Sequence, residues 1–175
     1  MARSLPGTGA TSTFRDLNKN GRLDPYEDPR CPIEERVEDL LAQMTLPEKA
    51  GMLFQTMAWL DEALGRPLAS EMITTRLMNH FNLIGGGDPR RVAEWHNGMQ
   101  ALAERTRLGI PLTISSDPRH AFSDNPLTGA LAGSFSLWPE PIGLAAIGDP
   151  ALVERFADIA RREYLAVGIR LALHP

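Results

Sequence analysis

The sequence predicts an α/β fold of parallel β/α units, and three observations predict it. Segments with helical apolar periodicity alternate with short apolar, β-branched runs. One helix-start signal, Asp followed by Pro, occurs at both Asp88-Pro89 and Asp149-Pro150, where Asp can cap and Pro fits the first turn. A segment rich in Pro, Gly and Ser, residues 117–148, follows the central strand. Long loops are usually functional, and in β/α barrels the loops after strand C-termini build the site.

Taken in order, residues 1–13 are rich in Gly, Ser and Thr and read as a flexible lead, and residues 14–31 read as a polar, ordered loop. Ile33, Val37, Leu40, Leu41 and Met44 then fall on one helical face. Thr45-Leu-Pro-Glu48 has the form of a capping box, so a second short helix starts there. Residues 71–80 read as helix, and Leu83 to Gly87 as the end of a strand. After Asp88-Pro89, a helix buries Val92, Trp95, Met99 and Leu102. Gly109-Ile-Pro-Leu-Thr-Ile114 is a buried-strand candidate. After Asp149-Pro150, Leu152, Phe156, Ile159, Ala160 and Tyr164 form the next apolar face, Gly168 ends that helix, and Ile169 to His174 is a final strand. Pro175 comes directly after it. A parallel strand is normally covered on both faces, so the expectation is a truncated domain.

Composition narrows the function. The 175 residues are 43% hydrophobic and 23% charged, with net charge −4, as in a soluble globular chain and unlike a disordered one. This balance leaves no basic footprint for nucleic acid or an anionic membrane. Cys31 is the single cysteine, so no internal disulfide forms. The first residues lack the apolar run of a signal peptide, and nothing approaches the ~20 apolar residues of a bilayer span. The expected location is cytoplasmic, with secretion left open.

Three motifs carry chemistry. In Asp16-Leu-Asn18-Lys-Asn20-Gly21-Arg22-Leu-Asp24-Pro-Tyr-Glu27, side-chain oxygens fall where a calcium loop needs them, Gly21 occupies the sharp turn, and Arg22 would offer its backbone carbonyl. The competing reading is an Asx-rich turn bonded to its own backbone. Second, Asp117 directly follows the buried strand, with Arg119 and His120 beside it. A strand-terminal carboxylate on a barrel rim can accept hydrogen bonds from sugar hydroxyls, whereas His120 reads more readily as a hydrogen-bonded structural residue. Third, Trp138 in Ser134-Phe-Ser-Leu-Trp-Pro-Glu140 is a stacking platform or, more commonly in such a context, a residue packing its loop. The glycine run Gly85-Gly-Gly87 before a helix is a weak phosphate signal, and Asp88 at the cap would repel phosphate.

Cys31-Pro-Ile-Glu-Glu-Arg-Val-Glu-Asp-Leu-Leu-Ala-Gln-Met-Thr-Leu-Pro-Glu-Lys-Ala-Gly51 resembles the opening helices of glycoside hydrolase family 3. Gly109 to His120, Phe135 to Ala146, Asp149 to Phe156 and Ala166 to Ile169 are similar to that family's later segments. The resemblance covers residues 14–175 and implies the N-terminal part of a (β/α)8 TIM-type barrel, incomplete, with residues 32–175 as its first half. It implies retaining hydrolysis of terminal β-D-glucosyl or xylosyl units, no cofactor for catalysis, and Asp117 as the substrate-binding aspartate, with Arg119 and His120 in the same subsite. The run Pro118-Arg119-His120-Ala121 departs from the family's small or apolar pair and following Gly. The nucleophilic Asp and acid/base Glu belong to parts of the family pattern beyond Pro175, so no catalytic residue is assigned and the chain alone is expected to be inactive. An unclosed barrel is expected to self-associate. The alternative is a calcium-binding structural or carbohydrate-binding module without catalysis.

Overall fold

The computed structural model describes residues 14–60, 68–85, 88–117, 120 and 135–173. A 3-10 turn at Pro25–Glu27 precedes helices α1 (Ile33–Gln43) and α2 (Leu46–Met52). Strand β1 (Gln55–Trp59), helix α3 (Ala69–Thr74), strand β2 (His80–Ile84), helix α4 (Pro89–Glu104) and strand β3 (Thr113–Ser116) follow. Helices α5 (Pro141–Ile147) and α6 (Pro150–Ala166) then lead to strand β4 (Leu171–Ala172). The strands are all parallel, in the order β1-β2-β3-β4. Sequential parallel strands joined by helices are the β/α barrel pattern, and among the described residues β1 and β4 are the sheet edges.

The capping signals explain the helix starts. Asp88 accepts from the Arg90 amide at 2.9 Å, and Asp149 from the Leu152 amide at 3.1 Å. Thr45 and Glu48 form the expected box, with the Thr45 amide donating to Glu48 Oε2 at 2.8 Å. Gly148, at φ 69°, ends α5 in the left-handed region that favours glycine.

One sheet face meets the helices. Ala58, Phe81, Leu83 and Ile114, each 1% exposed, pack there with Ile73 of α3, Val92 and Ala103 of α4, and Tyr164 of α6. Side chains alternate along a strand, so Met57 and Asn82, which are in register, point to the opposite, concave side. A groove of about 590 Å³ is lined by Gln55, Met57, Trp59, Asn82 and Leu173, and by Thr56 and Met72 from the helix side.

Several elements differ from their expected positions. β1 was not expected, because Gln-Thr-Met-Ala-Trp lacks the β-branched run that announces a buried strand. The segment 117–148 contains α5, whose Gly and Ala content hides helical periodicity. The helix expected over 71–80 occupies 69–74, and β2 starts at His80, ahead of its expected place. The predicted apolar face of α1 is largely solvent-exposed: Ile33 is 71% and Val37 47% exposed, and Met44 just after the helix is the part that is buried.

The N-terminal segment docks at one end of the sheet. Residues 104–112 lead from α4 into β3, so they mark the ends where the strands begin. Lys19 Nζ donates to the Glu104 and Thr106 carbonyls at 2.7 and 2.5 Å, capping the C-terminal end of α4, where the helix dipole favours a cation. Arg15 pairs with Glu104 at 2.8 Å, and the Tyr26 hydroxyl donates to the Leu108 carbonyl at 3.2 Å. Arg107 bonds Glu48 through Nε at 3.0 Å and the Gln43 carbonyl through Nη2 at 2.9 Å. Gly51 lies against the Arg76 and Leu77 carbonyls in the turn that follows α3. We call this end the base, and the end where the strands finish the rim.

Candidate functional site

Asp117 leaves β3 at the rim and is partly buried. The strand behind it is fixed by hydroxyl hydrogen bonds rather than by bulk. Ser115 and Ser116 are fully buried, and their Oγ atoms donate to the Phe81 and Leu83 carbonyls of β2 at 3.2 and 3.0 Å. Gln55 Nε2 donates to Ser115 Oγ at 2.6 Å, tying β1 to the same row. The Asp117 backbone carbonyl accepts the Tyr164 hydroxyl at 2.9 Å. The carboxylate therefore stands on a backbone held from both the strand side and the α6 side.

His120, which the resemblance puts in the sugar subsite and its residue type reads more readily as structural, sits in the interior. Its side chain is 1% exposed and its Nε2 lies 2.7 Å from Glu163 Oε2. The ring stacks on Phe135 at 5.5 Å and lies 5.3 Å from Tyr164 and 5.9 Å from Phe156. A ring so enclosed presents no atom to a ligand in the groove; the physical reason is that imidazole among aromatics is sheltered by them while one nitrogen finds a carboxylate. Burial pushes the His120 pKa below its ordinary value, opposed by the hydrogen bond to Glu163 and its charge. Among the described residues Nδ1 is buried without a partner, which fits a neutral ring carrying its proton on Nε2. Arg119 lies outside the described residues.

Trp138 packs its loop. Its indole Nε1 donates to Ser136 Oγ at 2.9 Å and its ring meets Phe156 at 5.2 Å. Glu140 caps the start of α5 through its backbone, accepting the Leu144 amide.

The expected calcium loop is bonded to itself. Asp16 accepts the Asn20 and Gly21 amides at 3.0 and 2.8 Å. Glu27 accepts the Leu17, Asn18 and Asp24 amides at 2.6, 3.2 and 3.0 Å. Asn20 Oδ1 accepts the Arg22 amide, while the Asn18 and Asn20 side-chain nitrogens point at Asp24 Oδ2. Gly21 takes φ 79° and Lys19 φ 61°. Among the described residues, no three His, Cys, Asp or Glu side chains converge as metal ligands.

The residues that sequence reasoning missed are Glu163 as a partner of His120 and Tyr164 as a partner of Asp117. Glu163 is 43 residues from His120 and Tyr164 is 47 from Asp117, so no local spacing links either pair.

Comparison with known proteins decides the family. The chain is 48% identical over 171 residues, 93% of its length, to the periplasmic β-glucosidase/β-xylosidase of Dickeya chrysanthemi. It superposes on a glycoside hydrolase family 3 β-N-acetylglucosaminidase from Paenibacillus with TM-score 0.56 at 26% identity, covering 73% of this chain and 23% of that one. The chain belongs to glycoside hydrolase family 3. A β-glucoside phosphorylase shares its fold, with TM-score 0.62 over 79% of this chain and 23% of that one, at 22% identity. No protein-family model matches the chain. The family 3 chain spans about 26% of the length of the Dickeya relative. Among the described residues, no helix is long and apolar enough to cross a membrane.

Proposed function

We propose that this family 3 segment supplies the substrate-binding side of a retaining β-glucosidase or β-xylosidase barrel, with Asp117 accepting hydrogen bonds from hydroxyls of the terminal sugar. The observation that carries the reading is Asp117 itself, a partly exposed carboxylate at the C-terminal end of a barrel strand whose backbone is pinned by Tyr164. Such rim positions are where β/α barrels place their chemistry. Retaining hydrolysis needs two carboxyl groups about 5 Å apart, one as nucleophile and one as acid/base. Those two are expected from the remainder of the barrel. Asp117 would help by hydrogen bonds that strengthen as the ring flattens toward its oxocarbenium-like state.

The test uses the purified chain. With aryl β-glucoside and aryl β-xyloside we expect no turnover above a heat-killed control. By ligand-detected NMR we expect weak binding of methyl β-D-glucopyranoside that Asp117→Asn abolishes. Turnover by the chain alone, or binding indifferent to Asp117, would refute the reading.

A second reading concerns the loop at the base: we propose that Asp16, Asn18, Asn20, Asp24 and Glu27, with the Arg22 carbonyl, hold a structural calcium ion. The left-handed Gly21 at the sixth position supports it, since a calcium loop needs its sharp turn there. Binding would require the Asn18 and Asn20 amides to turn over, because their nitrogens now face Asp24. An ion bound to the folded state alone raises the melting temperature by mass action. Calorimetric titration of metal-free chain should show binding heat at millimolar calcium and none in Asp16→Ala; an unchanged melting temperature with no heat leaves the self-bonded turn.

A further inference from the structure

The carboxylate of Glu163, on α6, bonds both sides of a long gap in sequence. Oε2 meets His120 Nε2 at 2.7 Å. Oε1 and Oε2 accept the Ser136 amide at 3.0 and 3.2 Å, and Oε2 also accepts the Ser136 hydroxyl at 3.0 Å. One carboxylate thus holds residue 120, just beyond Asp117, and residue 136, sixteen positions later. The aromatic partners repeat the pattern: His120 stacks on Phe135, and both lie against Tyr164, the residue after Glu163. The Trp138 amide closes a further link to the His120 carbonyl. Tyr164 in turn holds the Asp117 carbonyl at 2.9 Å. A carboxylate that is 27% exposed and accepts charge-assisted and hydroxyl hydrogen bonds at once is a strong local tie.

We propose that Glu163 is a positioning residue: with His120 and Ser136 it forms a clasp that joins the two ends of the segment after β3 and so fixes the backbone from which Asp117 meets the sugar. The last turn of α6 acts as a single bracket, Glu163 gripping the clasp and Tyr164 the rim. Replacement of Glu163 releases residues 120 and 136 together, so that Asp117 keeps its strand-side bonds and the Tyr164 hydroxyl but loses the clasp that follows it in the chain. The inference rests on the reading of Asp117 as a sugar ligand, but its mechanical half does not.

Amide hydrogen exchange on the chain tests the mechanical half. The Trp138 amide bonds His120 and does not touch Glu163, so its protection reports whether the two ends stay joined. In Glu163→Ala we expect the Trp138 amide to exchange at least tenfold faster, while amides in the middle of α4 keep their rates. Glu163→Gln, which retains one carbonyl acceptor, should recover most of the protection. An unprotected Trp138 amide in the parent chain, or unchanged exchange in Glu163→Ala, overturns the clasp. Titration with methyl β-D-glucopyranoside tests positioning: Glu163→Ala should weaken binding at least fivefold, with partial rescue in Glu163→Gln. Faster exchange with unchanged affinity, in a chain where Asp117→Asn abolishes binding, overturns the positioning role. Binding that survives Asp117→Asn sinks the sugar-ligand reading instead, and the exchange result still decides the clasp.

Discussion

The base and the rim are held by different physics. At the base, ion pairs and charged hydrogen bonds do the joining: Arg107 to Glu48 and Gln43, Lys19 to the end of α4, Arg15 to Glu104. Most of these side chains are half-exposed or more; Arg107 is 51% and Arg15 74% exposed. At the rim, the corresponding joint is a carboxylate and an imidazole enclosed by Phe135, Phe156 and Tyr164. Exposed pairs are individually worth little, with a median of about 0–1 kcal/mol, so the base relies on their number and on close backbone approach. The rim concentrates its hold in a few sheltered groups.

The largest expected effect breaks the base at its closest approach. A Cβ on Gly51 would lie 2.7 Å from the Arg76 carbonyl oxygen and nearer still to that of Leu77. Both obstacles are backbone, so neither can swing aside. Gly51→Ala should cost about 3 kcal/mol, the upper end of the overpacking range, and lower the melting temperature by roughly 10 °C. The loss should separate α2 from the α3–β2 turn while leaving the His120–Glu163 pair intact, as hydrogen exchange at Trp138 would show. A melting temperature within about 2 °C of the parent would mean the two carbonyls give way more easily than a packed backbone should.

Local devices were legible in the sequence at both ends, and the long-range joint at the rim was not. Thr45 and Glu48 announce their box because a cap is a local device three residues long. Asp88-Pro89 and Asp149-Pro150 do the same for α4 and α6, whose first turns lie on the rim side. Asp117 was legible from a strand followed by a carboxylate. The clasp was not, because His120, Ser136 and Glu163 are joined only when α6 returns over β3, and nothing in periodicity records that meeting. For His120 the residue type alone points to a hydrogen-bonded structural role and the family resemblance to the sugar subsite; its neighbours in space are three aromatic rings, none of them adjacent in sequence. β1 was missed because Gln55 and Met57 face the concave side and leave a strand with few β-branched residues. The glycines at 51 and 168 would have been informative had their partners been visible; Gly168, at φ 90°, makes room for the His96 ring.

The smallest effect sharpens the comparison by separating the two regions along the pH axis. At the rim, burial holds the His120 pKa below its ordinary value of about 6.5. The unfolded chain therefore binds the proton first, so stability is complete above the ordinary histidine value and declines as pH falls below it. At the base, Glu48 is the titrating member. Burial raises its pKa, but hydrogen bonds from Arg107 and Thr45 outweigh that and hold it below the usual carboxylate value. Its contribution is present above that value and lost as pH falls through the depressed one. The rim should accordingly loosen first on acidification, and the base only at more acidic pH. The Trp138 indole N–H, which bonds Ser136 in a ring that lies against Phe156, reports the rim by its NMR shift. The Thr45 amide, bonded to Glu48, reports the base by its NMR shift. Two separate midpoints are expected, with the Trp138 change at the higher pH and shifted by His120→Gln. A single shared midpoint in the carboxylate range would show that the enclosed imidazole carries no proton linkage and that both ends answer to the same acidic groups.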